Sequence, residues 1–320
     1  MAHTVLVAEG SAPEPLAWLA ERCRVLDIRP NDPAFPSALA EADALLVRSY
    51  LPVDDALLDR APKLKVVGRG GVGIDHIDVA ACRARGIEVV YTPDANTRAV
   101  AEFVAGLMVK LVRPWHTFTS FPSAEQFATF RKDAGEHLHE LTLGILGMGR
   151  VGRAVARVAH HGFGMRVRYH DLADVSAHVD VPAKSVSLNA LVAGCDVLSV
   201  HVDGRSSNTN LVAADQLGGR VRWLINTSRG KVVNPDAVHA ALADGRLEGV
   251  ALDVFEPEPP PADSRYADLL RDFPTRVHLT PHMASRTKTA VANMSWVVRD
   301  VWRVLNGETP EAPAPPTTAG

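Results

Sequence analysis

Three side chains in the second half of the chain have types that together could act on a carboxylic acid. Arg229 follows the apolar run in LINTSRGKVV, Glu258 lies in the proline-rich stretch ALDVFEPEPPP, and His282 follows the apolar run in VHLTPHMAS. An arginine offers a planar pair of donors that suits a carboxylate and an adjacent carbonyl oxygen. A histidine beside a carboxylate can serve as a general acid and base. The pattern therefore favours proton transfer to or from an oxygen on the carbon next to a carboxylate.

A glycine-rich turn within LGILGMGRVGRAVA indicates that the chain binds a phosphate-containing cofactor. The apolar residues before it predict a buried strand, and residues 153–161 predict a helix. Gly147 permits a sharp turn, Gly149 lets the backbone approach a ligand, and Gly152 lets the helix lie close to its strand. Unpaired N–H groups at the start of such a helix attract a phosphate. The predicted cofactor residues of this turn are Gly147, Gly149, Arg150, Val151 and Gly152.

The residue that ends the following strand predicts which dinucleotide is bound. Asp171 closes MRVRYHD, nineteen residues after Gly152. A carboxylate there accepts hydrogen bonds from the ribose hydroxyls and repels a 2′-phosphate, so we expect NAD rather than NADP. Together with the arginine and the His–carboxylate pair, this site predicts hydride transfer at C2 of a small 2-hydroxy or 2-oxo acid. His282 would protonate the carbonyl oxygen, and in the reverse direction it would be the base.

A second glycine-rich turn lies in VVGRGGVGIDHID, directly after a predicted strand. Backbone N–H groups of residues 70–73 could form a concave site for an anion such as the substrate carboxylate, with Arg69 at its edge. The alternative interpretation is a flexible turn, because glycine alone shows only that the backbone is permissive. The substrate residues predicted here are Gly71, Val72 and Gly73.

The composition excludes several classes of function. The chain has 320 residues, 34 basic and 37 acidic side chains and a net charge of −3. Because no long run of one sign occurs, we expect neither a nucleic-acid nor a membrane partner. Cys23, Cys82 and Cys195 are widely spaced in apolar contexts, as in reduced structural thiols. The N-terminus does not resemble a signal peptide, so we expect a cytoplasmic protein. No metal site is indicated, and NAD is the expected cofactor.

The elements that would position these residues form two series of strands. Five short β-type runs in the first hundred residues alternate with helical segments, and a second series begins at the glycine turn near residue 147. We therefore predict an α/β fold of two doubly wound parallel sheets, a flavodoxin-like substrate domain and an inserted Rossmann NAD-binding domain, with ligands bound in the crevice at the strand ends. The predicted boundaries are 1–98 and 99–284 for the two domains, 285–307 for a helix that returns to the first domain, and 308–320 for a disordered Pro/Ala-rich tail.

Six stretches occur in the order found in one family of enzymes. GRGGVGIDHID, TPDANTRAVAE, GILGMGRVGRAVA, LINTSRGKVVN, ALDVFEPEP and TPHMAS resemble successive signatures of the D-2-hydroxyacid dehydrogenases, over residues 40–307. The resemblance implies that Arg229, Glu258 and His282 form the catalytic set. It also implies that Asp253 contacts the nicotinamide carboxamide, that His201 lies near the cofactor, and that the chain forms a homodimer through the NAD-binding domains. Thr227 completes the predicted cofactor residues.

Within the family, residues 45–78 are most similar to those of the 3-phosphoglycerate dehydrogenases. That similarity implies that Arg48, Arg69 and Asn96 bind a phosphorylated or otherwise doubly anionic substrate. The alternative is a general hydroxypyruvate or glyoxylate reductase, in which these arginines are structural. Since the sequence ends soon after residue 307, we expect no feedback control through a C-terminal regulatory domain of the kind that many serine-pathway relatives carry.

One loop departs from the family pattern. The family usually has proline two residues after the position of His201, whereas this chain has Asp203, followed by Arg205 and Asn208. Local geometry and substrate choice are expected to differ there. A function of another class, an NAD-responsive corepressor-like binding protein, would also fit the fold, because fold alone does not fix function. The presence of all three catalytic residues favours the enzyme, but corepressor relatives also keep such residues. The lack of a long interaction extension in this sequence therefore favours the enzyme more strongly.

Overall fold

The structure, a computed structural model, describes residues 3–116, 118 and 120–315. They form two compact units, residues 3–96 with 285–315, and the described part of residues 97–284. The chain passes between the units after Asn96 and after Ala284. A helix begins at Thr97, so the boundary expected after residue 98 lies inside its first turn.

The first unit contains a parallel sheet of five strands with helices on both faces. Its strands are β1 (Thr4–Val7), β2 (Arg24–Asp27), β3 (Ala44–Val47), β4 (Val66–Arg69) and β5 (Glu88–Tyr91). Its helices are α1 (Pro13–Ala20), α2 (Phe35–Glu41), α3 (Asp55–Leu58), α4 (Val79–Ala84), α11 (Lys288–Ser295) and α12 (Val298–Leu305). The strand order β2-β1-β3-β4-β5 is the flavodoxin-like order that was predicted.

The second unit contains a parallel sheet of seven strands. Its strands are β6 (Thr142–Leu146), β7 (Arg166–His170), β8 (Ala183–Ser185), β9 (Val197–Val200), β10 (Trp223–Asn226), β11 (Gly249–Leu252) and β12 (Val277–Leu279). Its helices are α5 (Thr97–Val112), α6 (Ala124–Phe130), α7 (Arg150–Arg157), α8 (Leu188–Val192), α9 (Pro235–Ala243) and α10 (Arg265–Asp272). The strand order is β12-β11-β10-β9-β6-β7-β8. From β6 the chain first adds β7 and β8 on one side and then β9 to β12 on the other, as in a Rossmann fold.

Burial explains why the sequence forms these sheets. Strands β1, β3, β6, β9, β10 and β11 are buried along their whole length. Strands that are buried on both faces consist of continuous runs of apolar residues, and these runs were the basis for predicting two α/β sheets. Strand β8 was not predicted, because its three residues are half-buried or exposed and show no apolar pattern. No described helix is long and apolar enough to span a membrane.

Helix α12 packs on the sheet of the first unit. A Cβ on Gly68 of β4 would lie 2.5 Å from a methyl carbon of Val301, so the absence of a side chain lets the helix approach. The predicted single helix after residue 286 is divided into α11 and α12 at Trp296 and Val297.

The expected disorder of the tail is wrong for residues 308–315. Pro313 pairs with Val90 of the edge strand β5, and Ala314 is buried. The buried carboxylate of Asp300 accepts the N–H groups of Glu311 and Ala312, at 2.9 Å each. These backbone bonds hold a segment whose side chains carry little apolar surface. The rest of that prediction, residues 316–320, lies outside the described residues.

Candidate active site

Most of the predicted catalytic and cofactor residues of the second unit follow the carboxyl ends of its strands. Gly147 follows β6, His201 follows β9, Arg229 lies three residues after β10, Asp253 follows β11, and His282 lies three residues after β12. Because the strands are parallel, their carboxyl ends lie at one edge of the sheet. Ligands of open α/β sheets bind at such edges.

The geometry of the glycine turn fits the prediction that it receives a cofactor phosphate. Gly147 has φ +93°, and a Cβ there would lie 2.8 Å from the backbone of His201. A Cβ on Gly152 would lie 2.1 Å from the carbonyl oxygen of Gly147, whereas one on Gly149 would meet no atom within 4 Å. Space therefore exists at Gly149, beside the start of α7. No side chain caps that helix N-terminus.

Asp171 connects the end of β7 to the glycine turn. Its Oδ2 accepts the N–H of Met148 at 2.8 Å, and its Oδ1 accepts the N–H of Ala173 at 3.0 Å. A carboxylate has about four acceptor positions, so each oxygen still has one for a ribose hydroxyl.

Two residues beside the turn are buried and polar. Nε2 of His201 lies 2.8 Å from Oγ of Ser199, and burial lowers the pKa of His201 to about 3. His201 is therefore neutral near pH 7. The hydroxyl of Thr227 is buried and has no hydrogen-bond partner within the described part of the chain. An unpaired buried hydroxyl is unfavourable, so Thr227 has a donor and acceptor to offer a bound group.

Asp253 makes several contacts within the second unit. The residue is fully buried, and its carboxylate accepts the hydroxyl of Thr280 at 2.6 Å and the N–H groups of Met283 and Ala284 at 2.9 and 2.8 Å. All three partners belong to the loop that carries His282. Asp253 therefore holds this loop, and its contact with the nicotinamide carboxamide stays a prediction.

His282 and Glu258 form a pair. Nδ1 of His282 lies 2.9 Å from Oε2 of Glu258, and both side chains are partly exposed. His282 has φ +49°, an uncommon conformation for a residue with a side chain. Its N–H donates to the carbonyl oxygen of Asp253 at 2.8 Å, which helps to maintain that conformation. Since Glu258 occupies Nδ1, the Nε2 atom is the ring nitrogen left to meet a substrate.

Arg229 is held by the turn that follows β10. Its Nη1 donates to the carbonyl oxygen of Ser228 at 2.7 Å, and its own carbonyl oxygen accepts from the side chain of Asn226 at 2.9 Å. Strand β11 separates β10 from β12, so Arg229 and His282 follow strands about 10 Å apart. A small organic acid fits a separation of this size.

The unusual loop after β9 carries its own ion pair. Nε of Arg205 lies 2.7 Å from a carboxylate oxygen of Asp203, and the side chain of Asn208 donates to the same oxygen at 3.0 Å. The hydrogen bonds from Arg205, and with a smaller effect the charge of Arg229, lower the pKa of Asp203. The departure from the family pattern thus places a carboxylate within electrostatic range of Arg229.

Two of the N–H groups in the anion site predicted at residues 70–73 have backbone partners. The N–H of Gly70 donates to Val47 and the N–H of Gly71 donates to Arg69, both at 2.9 Å. The first bond extends the pairing of β4 with β3, so these two donors are not available to an anion. Val72 and Gly73 follow them in the same turn.

The other predicted substrate residues also belong to the first unit. Arg48 follows β3 and is half-buried, and Arg69 ends β4 with its side chain over Gly71. The side-chain oxygen of Asn96 is buried without a hydrogen-bond partner in the described residues. The sequence reasoning missed Thr280, which bonds to Asp253. Its position directly after β12, two residues before His282, was the available signal.

Comparisons with known proteins show the family to which the chain is similar. The model of the family "D-isomer specific 2-hydroxyacid dehydrogenase, NAD binding domain" matches residues 105–284. A glyoxylate reductase from Thermofilum pendens is 33% identical over 340 residues, which cover 98% of this chain and 94% of that relative. A D-3-phosphoglycerate dehydrogenase from Synechocystis is 34% identical over 80% of this chain, but the match spans only 45% of that relative.

A solved structure shows the same fold over nearly the whole chain. It is the NADPH-dependent glyoxylate/hydroxypyruvate reductase from Sinorhizobium meliloti in complex with NADP and malonate. It is 30% identical, has a TM-score of 0.81, and the match covers 98% of this chain and 97% of that one.

Proposed function

The chain belongs to the D-isomer specific 2-hydroxyacid dehydrogenase family and is an oxidoreductase that acts on CH–OH groups with NAD or NADP; we propose that Arg229, Glu258 and His282 carry out its reaction. The observation that carries this proposal is the 2.9 Å contact between Nδ1 of His282 and Oε2 of Glu258. It orients the imidazole and leaves Nε2 for a substrate oxygen.

The three residues divide the work on a 2-oxo acid. Arg229 binds the carboxylate and the carbonyl oxygen through its planar guanidinium. His282 donates a proton from Nε2 to the carbonyl oxygen, and Glu258 stabilises the protonated imidazole. The bound nicotinamide supplies the hydride. In the opposite direction His282 accepts the proton of the hydroxyl group.

The cofactor is proposed to be NAD. The open space at Gly149, the uncapped start of α7 and the unpaired hydroxyl of Thr227 fit a dinucleotide phosphate and its neighbouring groups. Arg150 and Val151 begin that helix, whose first N–H groups have no intrahelical partner and would attract a phosphate. Asp171 favours NAD because its charge repels a 2′-phosphate.

The substrate is proposed to be a small 2-oxo acid, and two classes are supported. Relatives that resemble the chain include both glyoxylate reductases and D-3-phosphoglycerate dehydrogenases. If Arg48, Arg69 and Asn96 bind the substrate, their charge favours a doubly anionic acid. If they are structural, the chain is a general glyoxylate and hydroxypyruvate reductase.

The direct test is the oxidation of NADH and NADPH with a panel of 2-oxo acids. Phosphohydroxypyruvate, hydroxypyruvate, glyoxylate and pyruvate should be reduced to different extents by the purified chain. Turnover of none of them with either cofactor would refute the proposed function. A higher kcat/KM with NADPH than with NADH would refute the role of Asp171.

A second copy of the chain is the proposed partner. Trp115, Phe118, Phe121 and Phe127 are exposed, with Phe121 at 90%, and α6 contains no buried residue. Exposed aromatic side chains grouped along one segment are typical of an interaction surface. Light scattering should give about twice the chain mass of 34.4 kDa and, for Phe121→Ser, a mixture shifted toward monomer. A monomeric parent chain would refute the homodimer.

A further inference from the structure

The tripeptide Asp-Gly-Arg occurs twice in the second unit, and its two copies differ in the contacts of their arginines. At residues 203–205 and 244–246 the arginine forms an ion pair with the aspartate two positions earlier. Nη1 of Arg246 also donates to the carbonyl oxygen of Leu217 at 3.1 Å. Nη1 of Arg205 makes no hydrogen bond with any residue in 3–116, 118 or 120–315, and its side chain is half exposed. Arg205 therefore has donors to offer a ligand.

The ion pair with Asp203 fixes the direction of these donors. Nε of Arg205 lies 2.7 Å from Oδ1 of Asp203, and Nη2 bonds to Oδ2, so one edge of the planar guanidinium is occupied. The amide of Asn208, a buried residue, donates to Oδ1 and to the backbone carbonyl oxygen of Asp203, both at 3.0 Å. Because Asn208 holds Asp203 in place, the other edge of Arg205, formed by Nη1 and Nη2, is oriented as well. Such a planar pair of donors suits a phosphate.

The loop that carries Arg205 lies beside the glycine turn. A Cβ on Gly147 would lie 2.8 Å from the backbone of His201, the residue at which this loop begins. On the other side of the turn, Asp171 accepts the N–H of Met148. Strand β6 lies between β7 and β9, so the ends of those two strands are about 10 Å apart. Asp171 and the loop of Arg205 therefore lie on the two sides of the proposed cofactor site.

The charges of the loop act on both neighbouring sites. The hydrogen bond and the charge of Asp203 raise the pKa of Arg205, and the charge of Asp171 adds to this effect. Arg205 and Asp171 thus lie within electrostatic range of each other. The hydrogen bonds from Arg205 lower the pKa of Asp203, and the charge of Arg229 adds to that effect. Arg205 therefore offsets part of the negative charge that Asp171 presents at the position expected for the ribose.

We propose that Arg205 is a cofactor-specificity residue that binds the 2′-phosphate of NADPH, so that the chain accepts NADPH as a second cofactor beside NADH. Asp171 alone would repel that phosphate. The Nη1–Nη2 edge of Arg205 offers the phosphate two donors and a positive charge. With both residues beside the ribose, Asp171 binds the hydroxyl groups of NADH and Arg205 binds the phosphate of NADPH. This inference rests on the proposed cofactor site at Gly149 and Asp171.

The test compares NADPH with NADH, with hydroxypyruvate as the second substrate. The parent chain should use both cofactors. Arg205→Gln should lower kcat/KM for NADPH about fivefold or more, because a positive charge near the phosphate is lost, and should change kcat/KM for NADH less than about twofold. Arg205→Lys keeps the charge and should restore part of the activity with NADPH. Equal effects of Arg205→Gln on both cofactors, or no turnover with NADPH in a parent chain that uses NADH, would overturn the role of Arg205.

Two further variants separate a contact with the cofactor from a change of charge in the loop. Arg246→Gln alters the second Asp-Gly-Arg copy, which ends three residues before β11 at the opposite edge of the sheet, and should leave the cofactor ratio unchanged. Arg205→Gln also leaves the charge of Asp203 without its partner, and that charge would itself repel a phosphate. The double variant Asp203→Asn/Arg205→Gln removes both charges and should still have a lowered kcat/KM for NADPH. A return to the parent value would show that Arg205 does not contact the phosphate.

Fluorescence titration with NADPH and NADH, without a 2-oxo acid, separates this inference from the proposed reaction. In Arg205→Gln the Kd for NADPH should rise about fivefold and the Kd for NADH should be unchanged, and Arg246→Gln should change neither. If no 2-oxo acid is reduced but this difference is seen, the role of Arg205 stands and the proposed reaction fails. If hydroxypyruvate is reduced normally with NADH but the Kd for NADPH does not depend on Arg205, the role of Arg205 fails and the reaction stands.

Discussion

The charged side chains at the carboxyl edges of the two sheets are arranged differently. At the edge of the seven-stranded sheet, His282 contacts Glu258, and Asp253 accepts three hydrogen bonds. At the edge of the five-stranded sheet, Arg48 lies within electrostatic range of both Arg286 and Glu9. Paired groups hold a fixed geometry, which proton transfer requires. The second unit therefore holds a fixed histidine–carboxylate pair, whereas the first holds two arginines whose positive charges act on each other.

The largest expected effect follows from removing the proton donor of the second unit. His282→Ala should lower kcat at least about 100-fold, the usual contribution of a general acid. KM should change far less, because Arg229 still binds the substrate carboxylate. Glu258→Gln keeps the hydrogen-bonding shape without the charge and should give a smaller loss of kcat. Steady-state kinetics measure both, and an unchanged kcat in His282→Ala would remove the residue from the mechanism.

A smaller loss of kcat/KM is expected when position 229 keeps a positive charge but loses the planar guanidinium group. Arg229→Lys removes the planar pair of donors, and the loss of one hydrogen bond to a charged group corresponds to about 10- to 100-fold in kcat/KM. Arg98→Lys, at a position that is 94% exposed on α5, is the matched control and should behave as the parent chain. Near-normal kcat/KM in Arg229→Lys would show that charge alone suffices, and the two edges would then differ less than proposed.

The sequence predicted the fold and the local geometry well where both depend on neighbouring residues. Continuous apolar runs indicated the strands, and Gly147 and Gly152 have the conformation and the close contact expected of them. It did not reveal contacts between residues that are distant in the chain. Asp253 bonds to residues 27–31 positions later, and Arg48 and Arg286 are 238 positions apart. The prediction of a disordered tail was wrong for a related reason: the composition of the tail does not show that it can pair with the edge strand β5.

A change of about fivefold in the preference for NADPH over NADH is expected when the charge of Asp171 is removed. Asp171→Asn keeps an acceptor for the N–H of Met148 but removes the charge expected to repel a 2′-phosphate. Two charges about 4 Å apart in water interact by about 1 kcal/mol, so the ratio of kcat/KM for NADPH to that for NADH should rise about fivefold. Asp174→Asn changes a nearby exposed carboxylate and should leave the ratio unaltered. An unaltered ratio in Asp171→Asn as well would mean that another group reads the ribose.

The smallest effect concerns stability and arises from His201. Burial lowers its pKa to about 3 in the folded chain, whereas an unfolded chain has a histidine pKa of about 6.5. Between these values the unfolded state binds a proton that the folded state does not, so stability is fully present above about pH 6.5 and falls as the pH drops. The free energy of unfolding should decrease by about 1 kcal/mol between pH 6.5 and 5.5 because of this residue alone.

Urea unfolding of His201→Asn across this range measures that contribution. The variant should be less stable than the parent chain at pH 7.5, because the hydrogen bond to Ser199 is altered, but its stability should fall less steeply with acidification. His178→Asn, which removes an exposed histidine, should keep the slope of the parent chain. If His201→Asn also keeps that slope, His201 is protonated in the folded state. The edge of the second unit would then hold an additional positive charge, and its contrast with the first unit would be weaker.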